Sequence, residues 1–517
     1  VKELHGVNAS VNDTTNTLSQ KIVFGSDRNP QHEFNWRDMS KPVGGDQYEE
    51  YRRRFGDEYV FRVFDEEGLP LYRDYIPGEK LPDGYSILPF FKDYKFEYGV
   101  STYLDQKIGE GGRVYSQPGI WGNVWDGDIS SQHPHSAIME VILGPKYTKI
   151  FQEIVDARVA IKHKDFETAS SLLGGVLTPY LTDELAKGLA QALKIVINSI
   201  YGLTSAKFVN AFRDPNNVDN IVAKRGALFM TLLKQEVEKR GFIVCHIKTD
   251  SIKIPDANDE IKDFVIKFGR EFGYEFETEA VFEKFCLVND AVYVGKHKND
   301  ELDGQWSATG TQFQVPYVFK TIFTKETINF DDLCETKSVG KGTIYLDMNE
   351  GLEDISYYDK IKEARRVYSG SGVYQMTKKQ LTLYKETEDM SEEELNKAIA
   401  KGHDYHFVGR IGQFCPIKPG KGGGVLYRVD NDKYYAVTGT KGYRWLESEV
   451  IRGAHREEDI DRSYYDSLVN DAIETISFLG DYEWFVSDDP YVSPPFKDGK
   501  PYYLDLGQPG QANENLN

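Results

Sequence analysis

Three short stretches of this 517-residue chain concentrate side chains able to do chemistry. In WDGDISSQHPHSAI, Asp128 ends an apolar strand and a tight turn follows, carrying Ser131, Gln132 and His133. In LKIVINSIYGLTS, Lys194, Asn198 and Tyr201 are spaced by four and three, which puts them on one face of a helix. In HIKTDSIKI, Asp250 stands at a hairpin tip beside Lys248 and Thr249. Arg158 and Lys162 add two cations four residues apart on a preceding helix. Taken singly, each aspartate is an ordinary turn residue and the Arg–Lys pair an ordinary solvated helix face. Taken together they offer two carboxylates, which suit a hard divalent cation, and three cations, which suit an anion. The two aspartates lie far apart in the chain, so only folding can bring them together.

The elements that must do so are legible from periodicity. Residues 98–127 are strand-like and glycine-rich. Residues 145–173 and 182–201 read as two helices joined by GGVLTPYLT, with Thr182 as N-cap and Asp183 and Glu184 in the first turn. That is an αα-hairpin set between two strand-rich stretches. A helix over 218–240 precedes the strand FIVCHI (242–247), the corner KTDS and the strand IKI. Residues 60–78 read as a β-hairpin, the stretch 320–380 is mixed, and Ser391 with Glu394 forms a capping box.

In order and spacing, the three stretches resemble motifs A, B and C of the family B DNA polymerases, particularly bacteriophage replicative enzymes. The patterns are DxxSLYPS, KxxxNSxYG and YxDTDS. The second is met in full by Lys194, Asn198, Ser199, Tyr201 and Gly202. Glu110-Gly111-Gly112 resembles the YxGG element before motif A, and Lys224-Arg225-Gly226 sits where the family is likewise basic. The resemblance spans roughly residues 100–300. It implies an α+β multidomain, right-hand polymerase. The palm would be 91–144 and 206–310, and the fingers 145–205. Residues 1–90 would form an N-terminal region, and 311–517 the thumb and a C-terminal elaboration. Asp128, Asp250 and the carbonyl of Ile129 would hold two Mg²⁺ ions, about 3.5–4 Å apart in two-metal sites. Arg158, Lys162 and Lys194 would grip the triphosphate, with Lys194 protonating the pyrophosphate. Ser131, Gln132, His133, Asn198 and Tyr201 would line the incoming nucleotide. Gly111, Gly112, Lys248, Thr249 and Tyr293 would meet the DNA. The reaction would extend a primer on a DNA template with dNTPs. Further partners would be a separate exonuclease, a helicase-primase or a single-strand-binding protein.

Three departures stand out. His133 replaces the tyrosine of SLYPS, the steric gate under the deoxyribose, with a flat but smaller ring. Lys248 replaces the first aspartate of motif C. The basic KKxY element appears as Asn289-Asp290-Ala291-Val292-Tyr293, keeping only the aromatic. Primer grip would then shift to PIKPGKGGG, with Lys418 and Lys421, interleaved with Tyr434, Tyr435, Tyr443 and Trp445. The rival reading of that segment is a surface loop between two strands, and without GK[ST] it is no P-loop. His133 and His135 lack the further ligands of a zinc site. Asp65-Glu66-Glu67 contains the DxE of a two-metal exonuclease but reads better as solvated charge at a hairpin tip. Proofreading is therefore expected to be missing from this chain.

Composition bounds the rest. Lys and Arg number 62 against 82 Asp and Glu, a net charge of −20, so a uniformly basic nucleic-acid coat is excluded. Positive charge is local: residues 410–445 hold Arg410, Lys418, Lys421, Arg428, Lys433, Lys441 and Arg444 against Asp430 and Asp432. No apolar run approaches the roughly 20 residues of a membrane span. Cys245, Cys286, Cys334 and Cys415 form no CxxC pair, so a reducing cytoplasm, that of a host cell if viral, is expected. Two rivals remain: a polymerase with relaxed sugar or primer requirement, motivated by His133, and a non-catalytic DNA-binding replication subunit, motivated by Lys248.

Overall fold

A computed structural model describes residues 1–34, 59–64, 70–76, 79, 86–98, 100–109, 111–213, 221–349, 352–395, 404–431, 433–489, 496–497 and 500–501. Asp65, Glu66, Glu67, Glu110 and Asp432 lie outside them. Mixed helix and sheet divides into two compact units, residues 1–307 with 494–517, and residues 308–493.

The first unit is organised by a seven-stranded sheet. Its strands are β1 (Val114–Ser116), β2 (Gly119–Ile129), β3 (His246–Lys248), β4 (Ser251–Pro255), β5 (Phe276–Asn289), β6 (Val292–His297) and β7 (Trp306–Thr309), in the order β7-β6-β5-β2-β4-β3-β1. β2 is central and buried almost end to end rather than at alternate residues, as both its faces are covered. One face meets the main core, including Trp125 and Ile129, and the other a smaller cluster with Trp121, Val124, Phe282 and Phe285. β2 pairs antiparallel with β4 and β5.

The unit also holds helices α1 (Thr15–Phe24), α2 (Gln132–Met139), α3 (Gly144–Lys162), α4 (Asp183–Thr204), α5 (Ile221–Lys239) and α6 (Asp259–Glu271), and two three-stranded sheets within residues 59–107. α4 buries Leu193, Val196, Ile197, Ile200 and Leu203, an apolar stripe at helical spacing, against α3. Its Thr182 cap forms as expected, accepting from the Leu185 amide. The helix expected over 145–173 is instead broken. α3 stops at Lys162, Lys164 turns left-handed (φ 59°), and Asp165 caps a short helix at Phe166–Ser171. The Asp165 carboxylate accepts from the Thr168 amide, offering the backbone an alternative to the continuing helix.

α3 begins at Gly144, whose φ of 72° places it in the left-handed region. A Cβ built there would stand 1.9 Å from the backbone oxygen of Glu33. Backbone cannot yield as a side-chain tip can. Gly144→Ala should therefore cost about 2–4 kcal/mol, the sum of overpacking and left-handed strain. Urea denaturation checks this; a loss below about 0.5 kcal/mol would show that the contact relaxes freely.

The second unit holds two small sheets around its own core. One joins β8 (Glu335–Ser338), β11 (Ile411–Ile417) and β14 (Arg444–Glu447); the other joins β9 (Thr343–Asp347), β10 (Tyr405–Gly409), β12 (Val425–Asp430) and β13 (Lys433–Ala436). The capping box of Ser391 and Glu394 is present. Cys334 and Cys415, 81 residues apart, bring their sulfurs to 3.4 Å as free thiols. Trp445 is no part of an aromatic surface: it is fully buried and donates its indole N–H to the Thr440 carbonyl. Tyr443 packs edge-on against Tyr464, whereas Tyr434 and Tyr435 are exposed.

Candidate active site

The hairpin of β3 and β4 turns in two residues, Thr249 and Asp250, because Ser251 pairs directly with Lys248. Thr249 takes the left-handed conformation (φ 59°) that such a tight turn requires. Ile247, Ile252 and Ile254 bury this hairpin beside β2. Register then fixes the carboxylates. Asp128 pairs with Ser251 on one side and with Glu277 of β5 on the other. Asp250, one residue before Ser251, comes to the same end of the sheet, and its carbonyl accepts from the Ile129 amide at 2.8 Å.

Above this end lies a cleft of about 590 Å³. Asp128, Asp250, Ile129, Ser131, Gln132, His133 and Thr249 line it from the sheet and its turn; Arg158, Lys162, Lys194, Asn198 and Tyr201 line it from α3 and α4. The imidazole of His133 stands edge-on to Tyr201, ring centres 4.8 Å apart. Arg158 donates to the Ser131 hydroxyl at 3.2 Å. Gln132 lines the cleft from its floor. It is buried, and its amide N–H₂ donates to the Thr249 carbonyl at 3.0 Å, tying the turn after β2 to the hairpin tip.

The electrostatics are lopsided. Burial, then Asp250, Asp126 and Glu279, push the Asp128 carboxyl up to about 8. Burial also raises Asp250, against its own backbone amide, His133 and Lys253. Burial holds the His133 imidazole below its ordinary range. Two partly desolvated carboxylates in one pocket are an arrangement that a divalent cation would relieve. Among the described residues no three His, Cys, Asp or Glu side chains cluster as a metal cage. Two carboxylates with a backbone carbonyl fit Mg²⁺, which keeps waters and substrate oxygens as its other ligands.

The other expected residues of the first unit stand outside the lining of the cleft. Gly112 packs on Thr249, where a Cβ would come within 3.0 Å of its methyl group, and the Thr249 amide donates to the Arg113 carbonyl. Gly111 borders open space. Lys248 pairs with Val114, and Tyr293 of β6 rests against His246 and Phe285. Lys418 and Lys421 belong to the second unit. There Lys418 donates to the Glu458 carbonyl, and Lys421 lies 3.8 Å from Asp459. Lys224 and Arg225, at the position where the resembling family is basic, are buried; Arg225 lies 3.1 Å from the carboxylate of Glu140.

Two residues were missed. Glu277 lines the cleft and binds Lys162 at 2.8 Å and His163 at 2.9 Å. Burial opposes its charge, but those two hydrogen bonds hold its carboxyl below the ordinary range. Lys253, directly across from Asp126 on β2, forms a buried ion pair with it at 2.6 Å. Burial works against the Lys253 ammonium, yet Asp126 keeps it charged and raises its pKa.

No family model and no curated protein matches the chain. Among solved structures, the family B DNA polymerase from the hyperthermophilic archaeon Pyrobaculum calidifontis is similar over 76% of this chain, at 15% identity and a TM-score of 0.35. The chain spans about half of that structure's length, covering 48% of it. No helix among the described residues is long and apolar enough to cross a membrane.

Proposed function

We propose that the chain is a template-directed DNA polymerase of the bacteriophage family B kind, adding dNTPs to a primer 3′-hydroxyl in DNA replication. The observation that carries this reading is the cleft. It gathers Asp128 from a strand and Asp250 from the neighbouring hairpin turn, and faces them with Arg158, Lys162 and Lys194 from two packed helices. In this reading the seven-stranded sheet is the palm, α3 and α4 are the fingers, and the second unit is thumb and elaboration.

Each side chain then has a task. Asp128, Asp250 and the Ile129 carbonyl would hold two Mg²⁺ ions, which when bound activate the attacking hydroxyl and steady the leaving oxygen. Arg158, Lys162 and Lys194 neutralise the triphosphate and keep its leaving group in line. Lys194 hands a proton to the departing pyrophosphate. Tyr201 and His133, packed edge-on, line the place of the sugar and base, and Gln132 keeps the Asp250 tip in register with Asp128.

Extension of a labelled primer on a longer template, with dNTPs and Mg²⁺, tests the reading. Template-coded lengthening is expected; a folded chain that lengthens no primer would overturn it. His133 also favours the relaxed-sugar variant of this function, since imidazole is smaller than phenol. His133→Tyr should raise the preference for dNTPs over rNTPs by about tenfold, measured as the ratio of kcat/KM values. An unchanged ratio would remove His133 from sugar choice.

A further inference from the structure

Lys162 and His163 close the last turn of α3, and both spend their side chains on one carboxylate across the cleft. That carboxylate, Glu277, is the register partner of Asp128. It thus reaches from the strand bearing one side of the site to the helix bearing the other. Arg158 lies one helical turn before Lys162 and lines the same cleft, as does Lys194. An ion pair half open to solvent is weak and exchangeable, worth far less than a buried one. A polyphosphate entering the cleft offers Lys162 more negative charge and more acceptor oxygens than one carboxylate does.

We propose that Glu277 is a positioning residue that stands in for the substrate's phosphates. In the empty cleft it holds Lys162 and His163, and it hands Lys162 over when a nucleoside triphosphate enters. The inference rests on the reading of the cleft as a triphosphate site and adds to it a built-in competitor. Glu277 keeps the end of α3 drawn to the sheet before substrate binds, at some cost in affinity. Release of Lys162 then couples phosphate binding to freedom of that helix end.

The test uses inorganic triphosphate as probe, titrated calorimetrically into the full chain at fixed ionic strength without a divalent cation. Glu277→Gln should bind it about two- to fivefold more tightly, the scale of a partly exposed ion pair. In a Lys162→Ala background the same substitution should change nothing, because there is no lysine left to release. A tightening that persists in that background would be a general field effect and would overturn the exchange. So would equal or weaker binding by Glu277→Gln, which would show that Glu277 does not hold Lys162 back from the phosphates. The two levels separate cleanly. Binding that depends on Arg158 and Lys194 but ignores Glu277 sinks only this inference. Failure of the wild-type chain to bind triphosphate sinks the triphosphate site itself and the inference with it.

Discussion

Asp128→Asn should abolish primer extension, by about 10³-fold or more, and yet leave the protein more stable in cation-free buffer. The activity loss follows from the proposed chemistry: an amide cannot supply the negative charge that holds a divalent cation beside a developing alkoxide. The stability gain follows from the cleft as it stands. Asp128 is largely desolvated, with Asp250, Asp126 and Glu279 all disfavouring its charge. A neutral isostere relieves that repulsion, so a gain of about 1 kcal/mol is expected, of the kind seen when function keeps a strained site. Asp250→Asn should act in the same direction, since burial raises that carboxyl too. Millimolar Mg²⁺ should raise the melting temperature of the wild-type chain and leave Asp128→Asn unmoved, because only the former gains from binding. Extension surviving both substitutions would favour a non-catalytic DNA-binding role. Lower stability of both variants in cation-free buffer would mean that the carboxylates are already compensated.

The residues of the cleft were legible in the sequence because each sits beside a strong local signal. Asp128 follows a strand-like run holding Ile120, Trp121, Val124 and Trp125, Asp250 occupies a polar corner between isoleucines, and Lys194, Asn198 and Tyr201 share a helix face. Glu277 had no such signal. In FETEAVFEKF it is one of several alternating glutamates, and what singles it out is register with Asp128. That register is shifted by an irregularity between Thr278 and Ala280, which no periodicity reveals. The burial of Lys224 and Arg225 had no local signal either. The partner that permits it for Arg225, Glu140, is 85 positions away. The break after Lys162 turned on a single aspartate choosing its own backbone, a local competition that the apolar stripe overrode in the sequence reading. The thiol contact of Cys334 and Cys415 depends on β8 pairing with β11 across a long loop.

Lys253→Met should destabilise the first unit by about 3–5 kcal/mol, the cost of stripping one partner from a buried ion pair. The Lys253 side chain is 3% exposed and that of Asp126 8%, and they meet at 2.6 Å. Asp126 Oδ1 has no hydrogen-bond partner in the described structure, so the ammonium carries most of the compensation. Without it a buried carboxylate is left two residues from Asp128 on the same face of β2, with Asp250 and Glu279 adding like charge. The Tyr293 ring, 5.5 Å from the ammonium, offers a carboxylate nothing in return. The partner substitution decides whether charge is the cause. Asp126→Leu combined with Lys253→Met removes both ions and should recover most of the loss, as apolar replacements of buried pairs commonly do. Urea denaturation followed by tryptophan fluorescence, to which Trp121 and Trp125 buried in β2 contribute, reads the loss. If the double variant were as unstable as Lys253→Met alone, the lysine would be acting through its packed methylenes. The ion pair beneath the cleft would then be incidental to the fold of the strands that carry it.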